Sequence, residues 1–258
     1  MDYHFPVLLT EACDALDVRP GEIYLDVTLG HGGHTIEILK LGGQVYGIDQ
    51  DPQNLDIVTT RIKDTHPELL NNFHPIHGNF SEISSLDIPR NISGLLADLG
   101  LNSYQQKATG RGFSFNDEES LDMRLNPKTQ TNTAENIINT YSYDDLVDIF
   151  TKNAQENLAE PIVGQIIQAR QQKPIKTASR LAEIISHVYR QKNIRSSTNP
   201  ATKIFMALRI VVNREFVNLN QLLNFTLRLA HGENIAIISF HSREDRLVKR
   251  FMKQNSAK

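Results

Sequence analysis

The chain has 258 residues, 40% hydrophobic and 22% charged, with a formal net charge of −3, one cysteine and no tryptophan. That length can bury a full core, as one large domain or two unequal ones. The single Cys13 excludes an internal disulfide framework and fits a reducing compartment. No apolar run approaches the roughly 18 residues of a membrane span. The opening MDYHFPVLLTEACDAL carries no basic leader, so a cytoplasmic protein without membrane contact is expected. With so little net charge, a polyanionic partner must be met by a local patch.

A short helix is expected around Ala12, Ala15 and Leu16, ahead of a first strand from Ile23 to Val27. A glycine-rich turn follows, Gly30-His31-Gly32-Gly33-His34, then a short helix closed by Gly42-Gly43. A second strand, Val45 to Ile48, ends in Asp49. Strand, glycine turn, helix, strand and acid make half of a nucleotide-binding unit. Glycines let the backbone approach a ligand, and an acid at the second strand's tip can accept from a ribose hydroxyl pair.

Two nucleoside cofactors suit that outline. A dinucleotide site wants G-x-G-x-x-G, so that a helix N-terminus meets a pyrophosphate. The run here is G-H-G-G-H, and the first strand already carries Asp26, whose carboxylate repels a pyrophosphate. It suits S-adenosylmethionine, which brings an ammonium and a cationic sulfur. An NAD-dependent enzyme of similar design stays as the rival.

Pro52 to Leu70 reads as the next helix, with Pro52 at its first position. HPIHGNF (74–80) reads as a third strand presenting Asn79 and Phe80, the aromatic placed either in the core or over an adenine. SGLLADL (93–99) is a fourth buried strand closed by Asp98. Asp26, Asp49, Phe80 and Asp98 thus fall at strand ends, where doubly wound sheets bind ligands.

After Gln105 the alternation stops. A loop-rich stretch holds RGFSF (111–115) and LDMRLNP (121–127), and helical patterns follow at about 133–150, 155–170 and 177–190. Asn199-Pro200 is a strong helix start for one helix running to about Leu229, before a fifth strand at Asn234 to Phe240. Residues 170–214 hold ten basic side chains against Glu183 alone, a surface for nucleic-acid phosphates rather than an ordinary solvated face.

In order, DVTLGHGGHT (26–35), YGIDQDPQ (46–53), DLGLNSYQ (98–105), RGFSF, LDMRLNP, NPATKIFMALRIVVN (199–213) and ISFHSREDRLVKRF (238–251) resemble the bacterial 16S ribosomal RNA (cytosine-N4)-methyltransferases of the MraW/RsmH type. The resemblance covers essentially the whole chain, and RGFSF, LDMR and SFHS-EDR are its most specific parts. It implies a class I, Rossmann-like α/β methyltransferase with an inserted all-helical domain: 1–105 and 199–258 forming the methyltransferase part, 106–198 the insert. It also implies methyl transfer from S-adenosylmethionine to the N4 amine of a cytosine near the decoding centre of the small ribosomal subunit. The family's cofactor positions fall on Gly32, Gly33, His34, Asp49, Phe80, Asp98 and Gln105.

Three departures stand out. The family's G-E-E-(Arg/Lys) segment is Ala154-Gln155-Glu156-Asn157 here, with Pro161 restarting the helix. The His before P-A-T is Asn199. Family members typically continue some tens of residues past the position of Lys258 and add further strands, so a catalytically impaired RNA-binding relative is the second alternative.

The exocyclic amine of cytosine is a poor nucleophile, so acceptors must stand close to the methyl donor. Asp98, Asn102 and Ser103, on the loop after the fourth strand, are the candidate catalytic residues, and His241 after the fifth strand is a further one. Loop capping for the former, and helix capping for His241 and Ser242, are the plainer readings. Phe113 and Phe115 either stack on bases or pack in a core. Arg111, Asp122 and Arg124 either order their loop or meet RNA. No H-x-H or C-x-x-C arrangement occurs and methyl transfer needs no metal, so none is expected. Oligomeric state, including a homodimer, stays open.

Overall fold

The computed structural model describes residues 6–100, 110–115, 118, 120–229 and 233–255. Asn102, Ser103 and Gln105 lie outside them. The chain divides into two compact units: Met1–Asn102 with Phe216–Lys258, and Ser103–Glu215.

The first unit is built on five parallel strands, β1 (Ile23–Asp26), β2 (Gln44–Asp49), β3 (Phe73–His77), β4 (Gly94–Asp98) and β5 (Asn234–Ile238), in the order β3-β2-β1-β4-β5. All four pairings are parallel, with Asp26 beside Gly47 on one side and Leu96 on the other. Both faces are covered, which is why the strands read as apolar runs rather than alternating ones. Tyr24, Val45 and Leu96 pack with α1 (Leu9–Leu16), α2 (Gly33–Lys40) and α3 (Pro52–Thr65). Their neighbours Leu25, Ile48 and Leu95 pack with Leu219, Leu222 and Leu223 of α9 (Glu215–Thr226) and Val248 of α10 (Ser242–Asn255). Strand order reverses between β1 and β4, so a crevice opens beyond their carboxyl ends.

Local chemistry sets the boundaries that apolar patterning missed. α3 begins as expected, with Pro52 at its first turn and the Asp51 carboxylate accepting from Gln53 N at 3.1 Å. It stops at Thr65 rather than Leu70, because Pro67 keeps His66 out of the helical conformation (φ −150°, ψ 59°), and a 3₁₀ turn takes over. The third strand ends at His77, not Phe80. Asn79 bonds its own chain two residues on, accepting from Ser81 N at 2.9 Å, and Phe80 opens a 3₁₀ turn, half-buried against Ile83 and Leu86.

The second unit is helical: α4 (Ala134–Thr140), α5 (Tyr143–Ala154), α6 (Ala159–Gln172), α7 (Ala178–Gln191) and α8 (Thr202–Val212). They close on one core containing Ile137, Phe150, Ile162, Ile185 and Leu208. Ser142 and Asp145 form a capping box on α5, and Pro161 sits in the first turn of α6, where its missing N–H costs nothing.

The single helix expected from Pro200 to Leu229 is two. Asn199 caps a turn, accepting from Ala201 N at 2.9 Å, and α8 begins at Thr202. At its end the Asn213 backbone N–H still donates to Arg209 O at 3.0 Å, while its side-chain amide donates to Met123 O at 2.9 Å and accepts from Leu125 N at 2.9 Å. Arg214 then turns left-handed (φ 53°). α8 belongs to the helical unit and most of α9 to the sheet unit.

Candidate active site

The crevice is built from the ends of β1, β2 and β4. Asp26, closing β1, is only 2% exposed. Its carboxylate accepts from Thr28 N at 3.1 Å and from Thr35 Oγ1 of α2 at 2.7 Å. Burial pushes its pKa up, opposed by Thr35, by the nearby His34 and by Thr28. Sequence reasoning offered Asp26 to a bound ammonium; each of its oxygens already accepts from one of the chain's own hydroxyl or amide groups.

Asp98 is the contrasting carboxyl. Its backbone N–H donates to Thr28 Oγ1 at 2.6 Å, so one threonine ties the exit of β1 to the tip of β4. Its Oδ1 is buried and has no hydrogen-bond partner among the described residues. Its Oδ2 lies 3.8 Å from Nδ1 of His34. Desolvation pushes its pKa up to about 6, the His34 imidazole pulling against and Asp26 adding to the rise. His34 is 5% exposed, and its Nε2 sits 3.1 Å from the carbonyl of Val7.

Asp49, closing β2, accepts from Asp51 N (2.8 Å) on one oxygen, and from Gly30 N (2.9 Å) and Asn54 Nδ2 (2.9 Å) on the other. It keeps some accessible surface, yet burial of the carboxyl raises it to about 6 despite these donors. A carboxylate offers about four acceptor sites. With three occupied, Asp49 has room for one further hydroxyl rather than a pair. Nearby, Asn79 Nδ2 donates to Gln50 Oε1 at 3.1 Å, which fixes the turn that carries Phe80.

The glycines of the turn have a packing reason of their own. A Cβ on Gly32 (φ +71°) would lie 2.6 Å from Val58 Cγ1, and one on Gly33 would lie 2.8 Å from Pro6 Cγ. The turn therefore sits hard against α3 and the N-terminal segment.

His241 is engaged at the start of α10. Its Nδ1 accepts from Glu244 N at 3.3 Å, its carbonyl accepts from Asp245 N at 3.2 Å, and its ring stands edge-on to Phe216 at 5.6 Å. The Glu244 carboxylate reaches back to Phe240 N at 3.1 Å. His241 thus caps the start of α10 through Nδ1, while its buried Nε2, 3.2 Å from Glu244 Oε1, makes no hydrogen bond among the described residues.

In the helical unit, Asp122 and Arg124 form a two-point ion pair with both contacts at 2.7 Å. Arg111 donates to the carbonyls of Arg124 and Leu125 at 3.1 Å each. These three residues order their own loop. Phe113 and Phe115 pack against the helical core, Phe115 edge-on to Phe205 at 5.0 Å, the packing alternative of the two.

The basic run sorts by engagement. Arg170 caps the end of α4, donating to Ile138 O and Tyr141 O at 2.7 Å each. Arg180 pairs with Glu183, and Arg209 with Glu215 at 2.7 Å. Lys173, Lys176, Arg190, Lys192 and Arg195 are exposed. Among the described residues no helix is long and apolar enough to cross a membrane.

Thr28, Thr35 and Asn54 were not singled out from sequence. The signal available was their position, within two residues of a strand-end acid or one turn into the helix that follows. The acid set around the crevice, Asp26, Asp49 and Asp98, fits a cationic adenosyl ligand and not a pyrophosphate.

A parallel sheet in the order β3-β2-β1-β4-β5, with acids closing β1, β2 and β4, defines a class I, Rossmann-like methyltransferase fold. The model of the MraW methylase family matches residues 1–258, and the chain belongs to that family. It is similar to the ribosomal RNA small subunit methyltransferase H of Desulfosudis oleivorans, 40% identical over 259 residues covering 97% of this chain and 81% of that protein. The protein of the same name from Thermosipho melanesiensis is 41% identical over 263 residues, covering 99% and 87%. Among solved structures, an rRNA methylase from Streptococcus thermophilus aligns over 39% of this chain and 57% of its own, with 22% identity and a TM-score of 0.31. The glycopeptide N-methyltransferase MtfA complexed with S-adenosyl-L-methionine aligns over 37% and 39%, with 16% identity and a TM-score of 0.31.

Proposed function

We propose that the protein methylates small-subunit ribosomal RNA with S-adenosylmethionine, at the N4 amine of a cytosine near the decoding centre of 16S rRNA. The observation that carries the cofactor side is the buried Oδ1 of Asp98, without a hydrogen-bond partner among the described residues, at the point where strand order reverses. Family membership and the names of the relatives support the RNA side.

In this reading the crevice binds the donor by charge. Asp98 meets its ammonium, Asp49 accepts one ribose hydroxyl, and Phe80, fixed by the Asn79 turn, covers the adenine. The backbone of Gly32-Gly33-His34 lies along the amino acid end, and Gln105 completes the pocket. When bound, S-adenosylmethionine supplies an electrophilic methyl on a cationic sulfur. Asp98, Asn102 and Ser103 hold the amine in line and accept its N–H protons. His241 stays assigned to the same edge, as a group that orders the start of α10. The compact unit 103–215 is the inserted RNA-holding part, meeting phosphates through Lys173, Lys176, Arg190, Lys192 and Arg195. We place the protein in the cytoplasm, with the ribosomal subunit as its partner.

The deciding experiment is incubation of small subunits with labelled donor, followed by digestion and mass identification of the methylated nucleoside. N4-methylcytidine is expected. A different product would overturn the target atom. Donor binding without any product would leave the RNA-binding relative.

A further inference from the structure

We infer that Phe240 is the stacking platform for the acceptor base, an unpaired cytosine swung out of its strand and laid against the tips of β4 and β5. The inference rests on the proposed methyl transfer and deepens it, by saying how the base is held. Phe240 is 56% exposed, and no large apolar side chain among the described residues is more so. The sheet sets its place. Asp98 and Ile238 are partners in the β4–β5 ladder, and Leu99 N donates to Ile238 O at 2.9 Å. Two residues past these partners come Gly100 and Phe240. A Cβ on Gly100, whose φ is +111°, would lie 3.3 Å from Phe240 Cδ2. The ring thus rests on the bare backbone of the loop that leaves Asp98, with the rest of its surface toward solvent.

Neither core packing nor helix capping explains that ring. It joins neither apolar cluster of the sheet unit. An apolar residue just before an N-cap often packs against the fourth residue of the helix. His241 is the N-cap of α10, its carbonyl accepting from Asp245 N, and that fourth residue is Asp245 itself. The main chain, by contrast, is held firmly. Phe240 N–H donates to the carboxylate of Glu244 at 3.1 Å, and Glu244 is buried. An exposed aromatic on a fixed backbone suits stacking, because little order is lost on binding.

Position selects the acceptor rather than the donor. Asp49 and Phe80, proposed for the ribose and the adenine, follow β2 and β3, whereas Phe240 follows β5 on the opposite side of β1. Asp98 closes β4 between them. The acceptor then approaches from the β5 side. Transfer needs the amine in line with the sulfur, which a base inside a stack cannot reach, so the base is swung out. An aromatic face replaces the stacking that the base gives up. Such a face accepts any base, so Phe240 sets the plane and leaves the choice of atom to the loop after Asp98.

The chain has no tryptophan, so Phe240→Trp supplies a single fluorescent reporter. With S-adenosylhomocysteine bound, oligocytidylate should quench that reporter, and an abasic oligomer of equal length should not. Quenching by S-adenosylhomocysteine alone would put the ring on the adenine and overturn the inference. Phe240→Leu keeps apolar bulk against Gly100 but has no aromatic face. Its single-turnover rate on saturating small subunits should fall about tenfold or more, as losing one stacked base implies. Its S-adenosylhomocysteine affinity and melting temperature should match wild type. Phe240→Tyr and Phe240→Trp should restore the rate, whereas a packing role would let leucine serve as well as either. Leucine at the wild-type rate, or no rescue by the aromatics, overturns the inference. An equal response of the reporter to both oligomers overturns it too, even if the leucine variant does not fold. A wild-type protein that binds S-adenosylhomocysteine but methylates no cytosine removes the proposed function, and this inference with it.

Discussion

The hydroxyl of Thr28 accepts the backbone N–H of Asp98 at 2.6 Å, joining the residue that leaves β1 to the last residue of β4. The bond spans the point where strand order reverses, so it fixes how far the two acidic tips stand apart. Thr28→Val keeps the shape and removes the acceptor. Donor affinity should fall about tenfold, the worth of one buried hydrogen bond, with the far-ultraviolet spectrum unchanged. Calorimetry on the folded variant checks it; wild-type affinity would make the bond incidental to binding.

Asp98 should be a stability liability that binding relieves. Its pKa is raised to about 6 by burial, so between about pH 4 and 6 the folded state binds more protons than the unfolded. Stability then falls as pH rises through that window. Asp98→Asn should stabilise the ligand-free protein at pH 7.5 by on the order of 1–2 kcal/mol, and by nothing near pH 4. Thermal unfolding at both values measures the difference. The same variant should bind S-adenosylhomocysteine much less well.

Gly32 should be replaceable only together with its neighbour. Alanine there meets Val58 Cγ1 at 2.6 Å and keeps a positive φ, which together cost on the order of 2–4 kcal/mol. Val58→Ala opens the space but not the backbone strain. The double variant should therefore recover part of the loss, and a chemical-denaturation cycle should show clear non-additivity. Simple additivity would mean that the contact does not limit packing.

Engagement separates two kinds of cation on the helical unit. Neutralising Lys173, Lys176 and Arg190, which are exposed, should weaken RNA binding and flatten its salt dependence by about 0.7–0.9 per lost contact, leaving thermal stability alone. Arg170→Ala should do the reverse, because its guanidinium caps α4 through two carbonyls. Paired salt titrations and melting curves distinguish them.

How legible each part was depended on which force decides it. The strands showed in the sequence because both faces of the sheet are buried and apolar residues follow one another. Their closing acids at 26, 49 and 98 showed because carboxylates interrupt such runs. Helix ends did not, since Pro67 and the left-handed Arg214 act through backbone conformation rather than through periodicity. Nor did the division of labour between Asp26 and Asp98. Both look alike as letters, and only the reach of Thr28 and Thr35 ties one of them to its own chain, while Asp98 Oδ1 has no hydrogen-bond partner among the described residues. The basic run was visible as composition, but which members are already engaged depended on carbonyls and acids brought close by folding.

The left-handed break at Arg214 has a bearing on the order in which the chain is made. Residues 103–215, which lie between β4 and most of α9 in the chain, make up the helical unit, and its helices are joined by short connections along the chain. Such a unit can assemble as it emerges from translation. β5, by contrast, must pair with β4 across that whole interval, and it is released late. The nascent protein thus passes through a stage in which the insert is finished while the sheet waits on one open side of β4. The tip carrying Asp98 is completed by residues synthesised long after it.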